Sequence, residues 1–160
     1  MASDKTLIGA AGEHLVLSRL LEQGVLASQA PRGTRKADIL VNPLDGGRPI
    51  LIQVKSTTEI GTRIKWHMKE KHEAMVEKDL YYCFVALSKE NSSIYVIPAK
   101  TVSKVVKSAY QAWLNKPGAK GQAHNESGMR WIATNYPFDV PGIKDGWMDK
   151  YLENWESLND

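Results

Sequence analysis

The chain has 160 residues, 42% of them hydrophobic, and a formal net charge of +3, which suits one domain with its own core. No run approaches the roughly 18 apolar residues of a membrane span, and Asp4, Lys5 and Glu13 interrupt any secretory core near the N-terminus. The single cysteine, Cys83, lies in an apolar run, which excludes a disulfide framework and fits a reducing, cytoplasmic setting. The charge is uneven. Residues 31–72 hold nine Lys/Arg against four Asp/Glu, whereas residues 73–160 hold ten against eleven, so a surface able to attract phosphates is expected in the first half.

Residues from about Asp4 to Gln23 predict an α-helix that stops at Gly24. At 100° per residue, Val16, Leu17 and Leu20 lie within roughly 60° of Glu13, which puts that carboxylate on the apolar stripe without a packing reason. Gly9, Ala10 and Gly12 beside it would let another backbone approach closely. A short strand is expected near 25–29. The runs 37–42 and 50–56, joined by a turn rich in Pro, Asp and Gly, read as a hairpin about Asp45-Gly46. That register sets position 38 opposite roughly position 53, and strand alternation puts Gln53 and Lys55 on one face. A carboxylate, a carboxamide and an ammonium converging on an apolar sheet are costly unless a metal or an anionic ligand uses them.

Further along, 65–78 is expected to be helical. Strands follow at 80–88 and 92–98, then a helix at 101–114, a loop at 115–127 and a short strand at 129–134. Trp147, Met148, Tyr151, Leu152 and Trp155 recur at helical spacing and suggest a final docking helix. The order of elements predicts a single α/β domain over 1–160, a mixed β-sheet flanked by helices. Its motif-bearing core would span 5–98, with a helical extension over 99–160.

The segment from Gly9 to Glu13, the loop from Ala30 to Lys36, Asp38 and the run Gln53-Val54-Lys55 together resemble the PD-(D/E)XK nuclease superfamily. Archaeal-type Holliday junction resolvases are the nearest look-alikes. The resemblance covers residues 5–60 in motif detail and implies a restriction-endonuclease-like core. It also implies a Mg²⁺- or Mn²⁺-dependent endonuclease acting on DNA, with branched or structured DNA as a candidate substrate. Asp38, Gln53 and the Val54 carbonyl would hold the cation. Lys55 would polarise the attacking water and shield the phosphate, and Glu13 would complete the catalytic set through a metal-bound water or through Lys55. Arg32, Arg35, Lys36, Ser56, Arg63 and Lys65 would contact the nucleic acid backbone. One residue departs from the family pattern. Gln53 stands where an acid is usual, which removes one negative charge but keeps an oxygen able to coordinate a hard cation.

Competing readings stay open for each of these. Asp38 would also serve as an Asx-type strand-start cap, Gln53 as an edge-strand residue facing water, and Lys55 as a strand-end lysine reaching solvent. Glu13 would equally pair with a basic residue of the 31–36 loop. None of His14, His67, His72 and His124 has zinc-site spacing. The leading alternative is a non-catalytic nucleic-acid-binding or interaction domain that keeps the nuclease fold. Whether the chain acts as a monomer or a homodimer is also open.

Overall fold

The computed structural model describes residues 4–159. Helix α1 (Lys5–Glu22) is capped by the Asp4 side chain, which accepts from the Thr6 N–H at 2.8 Å. Such a cap satisfies one of the donors that a helix start leaves free. The chain then forms β1 (Ala27–Gln29), β2 (Ile39–Val41) and β3 (Ile50–Thr57). The turn between β2 and β3 is built as the sequence predicts. Gly46 adopts φ +78°, and the Asp45 carboxylate takes the Gly47 N–H at 3.0 Å.

After β3 come β4 (Lys65–Lys69), β5 (Leu80–Ala86), β6 (Ser93–Pro98), α2 (Ala99–Asn115) and β7 (Met129–Ala133). The main sheet has the order β1-β2-β3-β5-β6. Its pairs are antiparallel except β3 with β5, which run parallel, so the sheet is mixed. Each face carries one helix. Val16 and Leu20 of α1 pack on Ile39, Ile52, Val54, Cys83 and Val85. On the other face Val102, Val105 and Val106 of α2 pack with Leu80, Tyr82, Phe84 and Ile97. The fold is therefore a single α/β domain with a mixed sheet between helices. No described helix is long and apolar enough to cross a membrane.

Two expected helices are absent. Residues 65–69 form β4, which pairs antiparallel with β7 as a separate two-stranded sheet, and only Glu70–Glu73 turns, as a 3-10 segment. The reason is a two-residue alternation: Trp66 and Met68 are buried while Lys65, His67 and Lys69 are exposed, a strand period. The final docking helix is replaced by two short 3-10 turns, Asp149–Tyr151 and Trp155–Asn159. Glu153 between them has φ 49°, which α-helical continuity does not allow. The C-terminal stretch still docks, as Trp155 and Leu158 bury against the α1 face. Among the described residues of the expected 99–160 extension, only α2 is α-helical.

Candidate active site

The β2–β3 ladder comes apart where the chemistry collects. Ile39 pairs with Ile52, yet the Asp38 N–H also reaches the Ile52 carbonyl at 2.8 Å. Two residues of one strand thus oppose one of the other, the pattern of a bulge that ends pairing and re-aims a side chain. The Asp38 carbonyl accepts from Ala30 of the β1 side at 2.8 Å. Its carboxylate oxygen Oδ2 accepts from the Val54 N–H, also at 2.8 Å. The backbone and side chain of Asp38 therefore straddle Gln53, the neighbour expected from the hairpin register.

Asp38 and Gln53 line one cavity of about 590 Å³ with Arg35, Lys36 and Lys71. The Gln53 Oε1 atom is buried and has no hydrogen-bond partner, although a buried amide oxygen normally finds one. Lys55, two residues on, lies beside Phe84 in the β3–β5 register and opens into a neighbouring cavity with Gly9, Lys65 and His67. Burial lowers the Lys55 pKa, and Lys71 and Lys69 push the same way while Asp38 opposes them.

Glu13 approaches from α1. Burial raises its pKa first, and the Asp38 carboxylate raises it further, with His14 opposing. Its helix lies close on β3 because residue 12 is glycine. A Cβ there would fall 1.8 Å from Ser56 Oγ. Asp38 thus sits beside Gln53 at the end of β3, and its carboxylate is electrostatically coupled to both Glu13 and Lys55. Among the described residues no three His, Cys, Asp or Glu side chains gather as a metal cage. The oxygen donors that line the Asp38 cavity include one carboxylate and one unpartnered amide, a donor type that suits a hard cation.

The remaining expected contacts divide. Arg32 and Arg35 are exposed on the loop before Asp38. Lys36, in the left-handed region at φ 64°, is ion-paired to Glu77. It ties the loop to the 74–79 segment rather than standing free as a phosphate clamp. Arg63 donates from Nε to Asn135 at 2.8 Å, which fixes the start of β4 to the end of β7. Lys65 stays exposed on β4. Ser56 departs most from expectation. It borders the cavity that Lys55 opens into, but its Oγ is buried against Gly12 without a partner, so the hydroxyl is turned toward α1. The Val54 side chain packs under α1.

Sequence reading counted Lys71 only within the basic excess of residues 31–72 and gave His72 no role. Lys71 lines the Asp38 cavity. His72 is fully buried, with Nδ1 2.7 Å from the Tyr82 hydroxyl and Nε2 unpartnered. Burial lowers its pKa to about 4, helped by Lys55, Lys71 and Lys69. The signal was the strand alternation from Lys65 to Lys69, which brings the next residues over Lys55.

With this geometry set out, the chain can be compared with known proteins. A solved structure of a bacterial homing endonuclease, I-Ssp6803I, superposes with a TM-score of 0.55 over 98% of this chain and 92% of that one, at 16% identity. The fold is nuclease-like. No protein-family model matches the chain, and no curated protein matches it. At that identity the likeness belongs to the nuclease-like backbone, and the chemistry rests on the residues themselves.

Proposed function

We propose that the protein is a metal-dependent DNA endonuclease of the PD-(D/E)XK type, with Asp38, Gln53 and Lys55 as its centre. The observation that carries this reading is the unpartnered, buried Gln53 Oε1 beside an Asp38 carboxylate re-aimed by a ladder break. A free amide oxygen at that place has no structural use, whereas a cation would satisfy it. The nuclease-like fold supports the same reading.

Asp38, Gln53 and the Val54 carbonyl would hold the ion. A bound Mg²⁺ or Mn²⁺ would supply Lewis acidity at the phosphate and lower the pKa of water. Asp38 is fixed for its task by the Val54 amide. Lys55, whose charged form Asp38 favours against its desolvation, would face the scissile phosphate and offset the charge that builds on it. Glu13 holds its proton more firmly than an ordinary carboxylate and would orient a water beside Asp38. Arg32, Arg35, Lys65 and Lys71 would hold backbone phosphates without reading bases.

The test is cleavage of a supercoiled plasmid and of branched DNA with Mg²⁺ or Mn²⁺, for wild type, Asp38→Ala and Lys55→Ala purified in parallel. Lys55→Ala should reduce the rate by about 10²–10⁴-fold while binding metal normally, whereas Asp38→Ala should lose both cleavage and metal affinity. Equal cleavage by all three samples would point to a contaminating nuclease. Tight DNA binding with no metal uptake and no cleavage would favour the non-catalytic alternative.

A further inference from the structure

Strand β4 turns Lys65, His67 and Lys69 outward, and β7 sets Trp131 opposite His67 and Met129 opposite Lys69. Behind them Trp113 of α2 meets Trp131 edge-on at 6.4 Å and stacks on His124 at 4.0 Å. Lys65, His67, Trp113, Met129 and Trp131 line a cavity of about 380 Å³. Met129 is 67% exposed there despite its size and apolarity. The Lys65, His67 and Lys69 side chains make no hydrogen bond or ion pair among the described residues. Lys65 and His67 also line the cavity that holds Lys55, so the candidate active site and the ring-lined cavity share a wall.

Aromatic rings bordered by unpaired lysines form the combination that binds nucleic acid strands, since bases stack and phosphates are neutralised together. A strand rises about 3.3 Å per residue, so Lys65 and Lys69, at the two ends of β4, offer charge at points about 13 Å apart along it. A base in a closed duplex is already stacked on its neighbours and reaches such a cavity only when unpaired. We propose that the β4–β7 face receives an unpaired nucleobase of the strand held at the active site. The substrate class is then DNA with an opened or single-stranded segment beside the cleavage position. This inference rests on the nuclease reading and narrows it.

The experiment measures fluorescence anisotropy of a labelled oligothymidylate and of a fully paired duplex, without divalent metal and at fixed salt, with tryptophan emission followed in parallel. Wild type should bind the oligothymidylate with quenched emission. Trp113→Leu and Trp131→Leu should each weaken that binding about tenfold, the loss expected of one stacked base, and change duplex binding less than twofold. Trp113→Phe, which keeps a ring, should retain most of the affinity and serves if a leucine variant fails to fold. Unquenched emission on binding, or equal losses for both ligands, would overturn the proposal. Concentration-dependent self-association that the leucine variants abolish, with no oligothymidylate bound, would instead assign the face to a second copy of the chain. A wild type that cleaves duplex in metal but ignores oligothymidylate removes this inference alone. One that neither binds nor cleaves any DNA removes the nuclease reading with it.

Discussion

Asp38 is held from three sides, by Ala30, Ile52 and Val54, and this makes its orientation a property of the backbone. Gln53 beside it is the adjustable residue. Gln53→Glu adds a charge where a divalent ion would sit, so metal affinity should rise by about tenfold, read by calorimetric titration. Weakened DNA binding with an unchanged metal isotherm would show that position 53 only lines the groove. Lys55 and Glu13 set opposite limbs of a pH profile. Because burial lowers the Lys55 pKa, cleavage should fall on the alkaline side before an ordinary lysine would titrate, and Lys55→Arg should remove that limb. The raised pKa of Glu13 should place the acid limb above the usual carboxylate range, and Glu13→Gln should shift it. His72 bears on stability. It is neutral in the fold, with a pKa of about 4 against 6.5 for an ordinary histidine, so the unfolded chain binds more protons between those values. Stability should therefore drop as pH falls through that window, by up to roughly 3 kcal/mol. Denaturant melts of wild type and His72→Gln at several pH values check this, and an unchanged slope in the variant would contradict it.

The docking of α1 on β3 depends on Gly12, since a side chain there would overlap Ser56. Gly12→Val should destabilise the fold by about 1–3 kcal/mol through overpacking. Combining Gly12→Ala with Ser56→Gly should recover much of the Gly12→Ala loss, because the two positions touch. Additive losses in thermal melts would mean that the contact is not what limits the approach. This element was readable in the chain: the small residues around Glu13 announced a close approach, although Gly9 meets nothing within 4 Å and only Gly12 is tight. The hairpin was readable too, because Ile and Val runs around Asp45-Gly46 leave few registers. The bulge at Asp38 was not, since nothing local marks where a ladder will break. Strand β4 was misread because its tail, Glu70–Glu73, does turn, and helical composition there masked the alternation of Trp66 and Met68. At the C-terminus the aromatic spacing marked a buried face correctly but not a helix, because Glu153 breaks the backbone between two turns.

Across the domain, the mixed sheet brings Asp38 just before β2, Gln53 of β3 and Lys71 after β4 to one cavity, with Lys55 beside it and Glu13 of α1 coupled to Asp38; no single stretch of sequence holds more than two of these residues. The basic excess of residues 31–72 ends up partly around that point, as Arg35, Lys55, Lys65, Lys69 and Lys71, and partly spent on internal pairs such as Lys36 with Glu77. Binding of DNA should accordingly weaken steeply with salt, in proportion to the phosphates contacted, and Lys71→Ala should reduce the slope by about one. An unaltered slope would remove Lys71 from the interface. If Asp38 and Gln53 hold a divalent cation beside Lys55, calorimetric titration of Mn²⁺ should show one saturable site in wild type, retained in Lys55→Ala and lost in Asp38→Ala. Equal isotherms for wild type and Asp38→Ala would rule that cation site out.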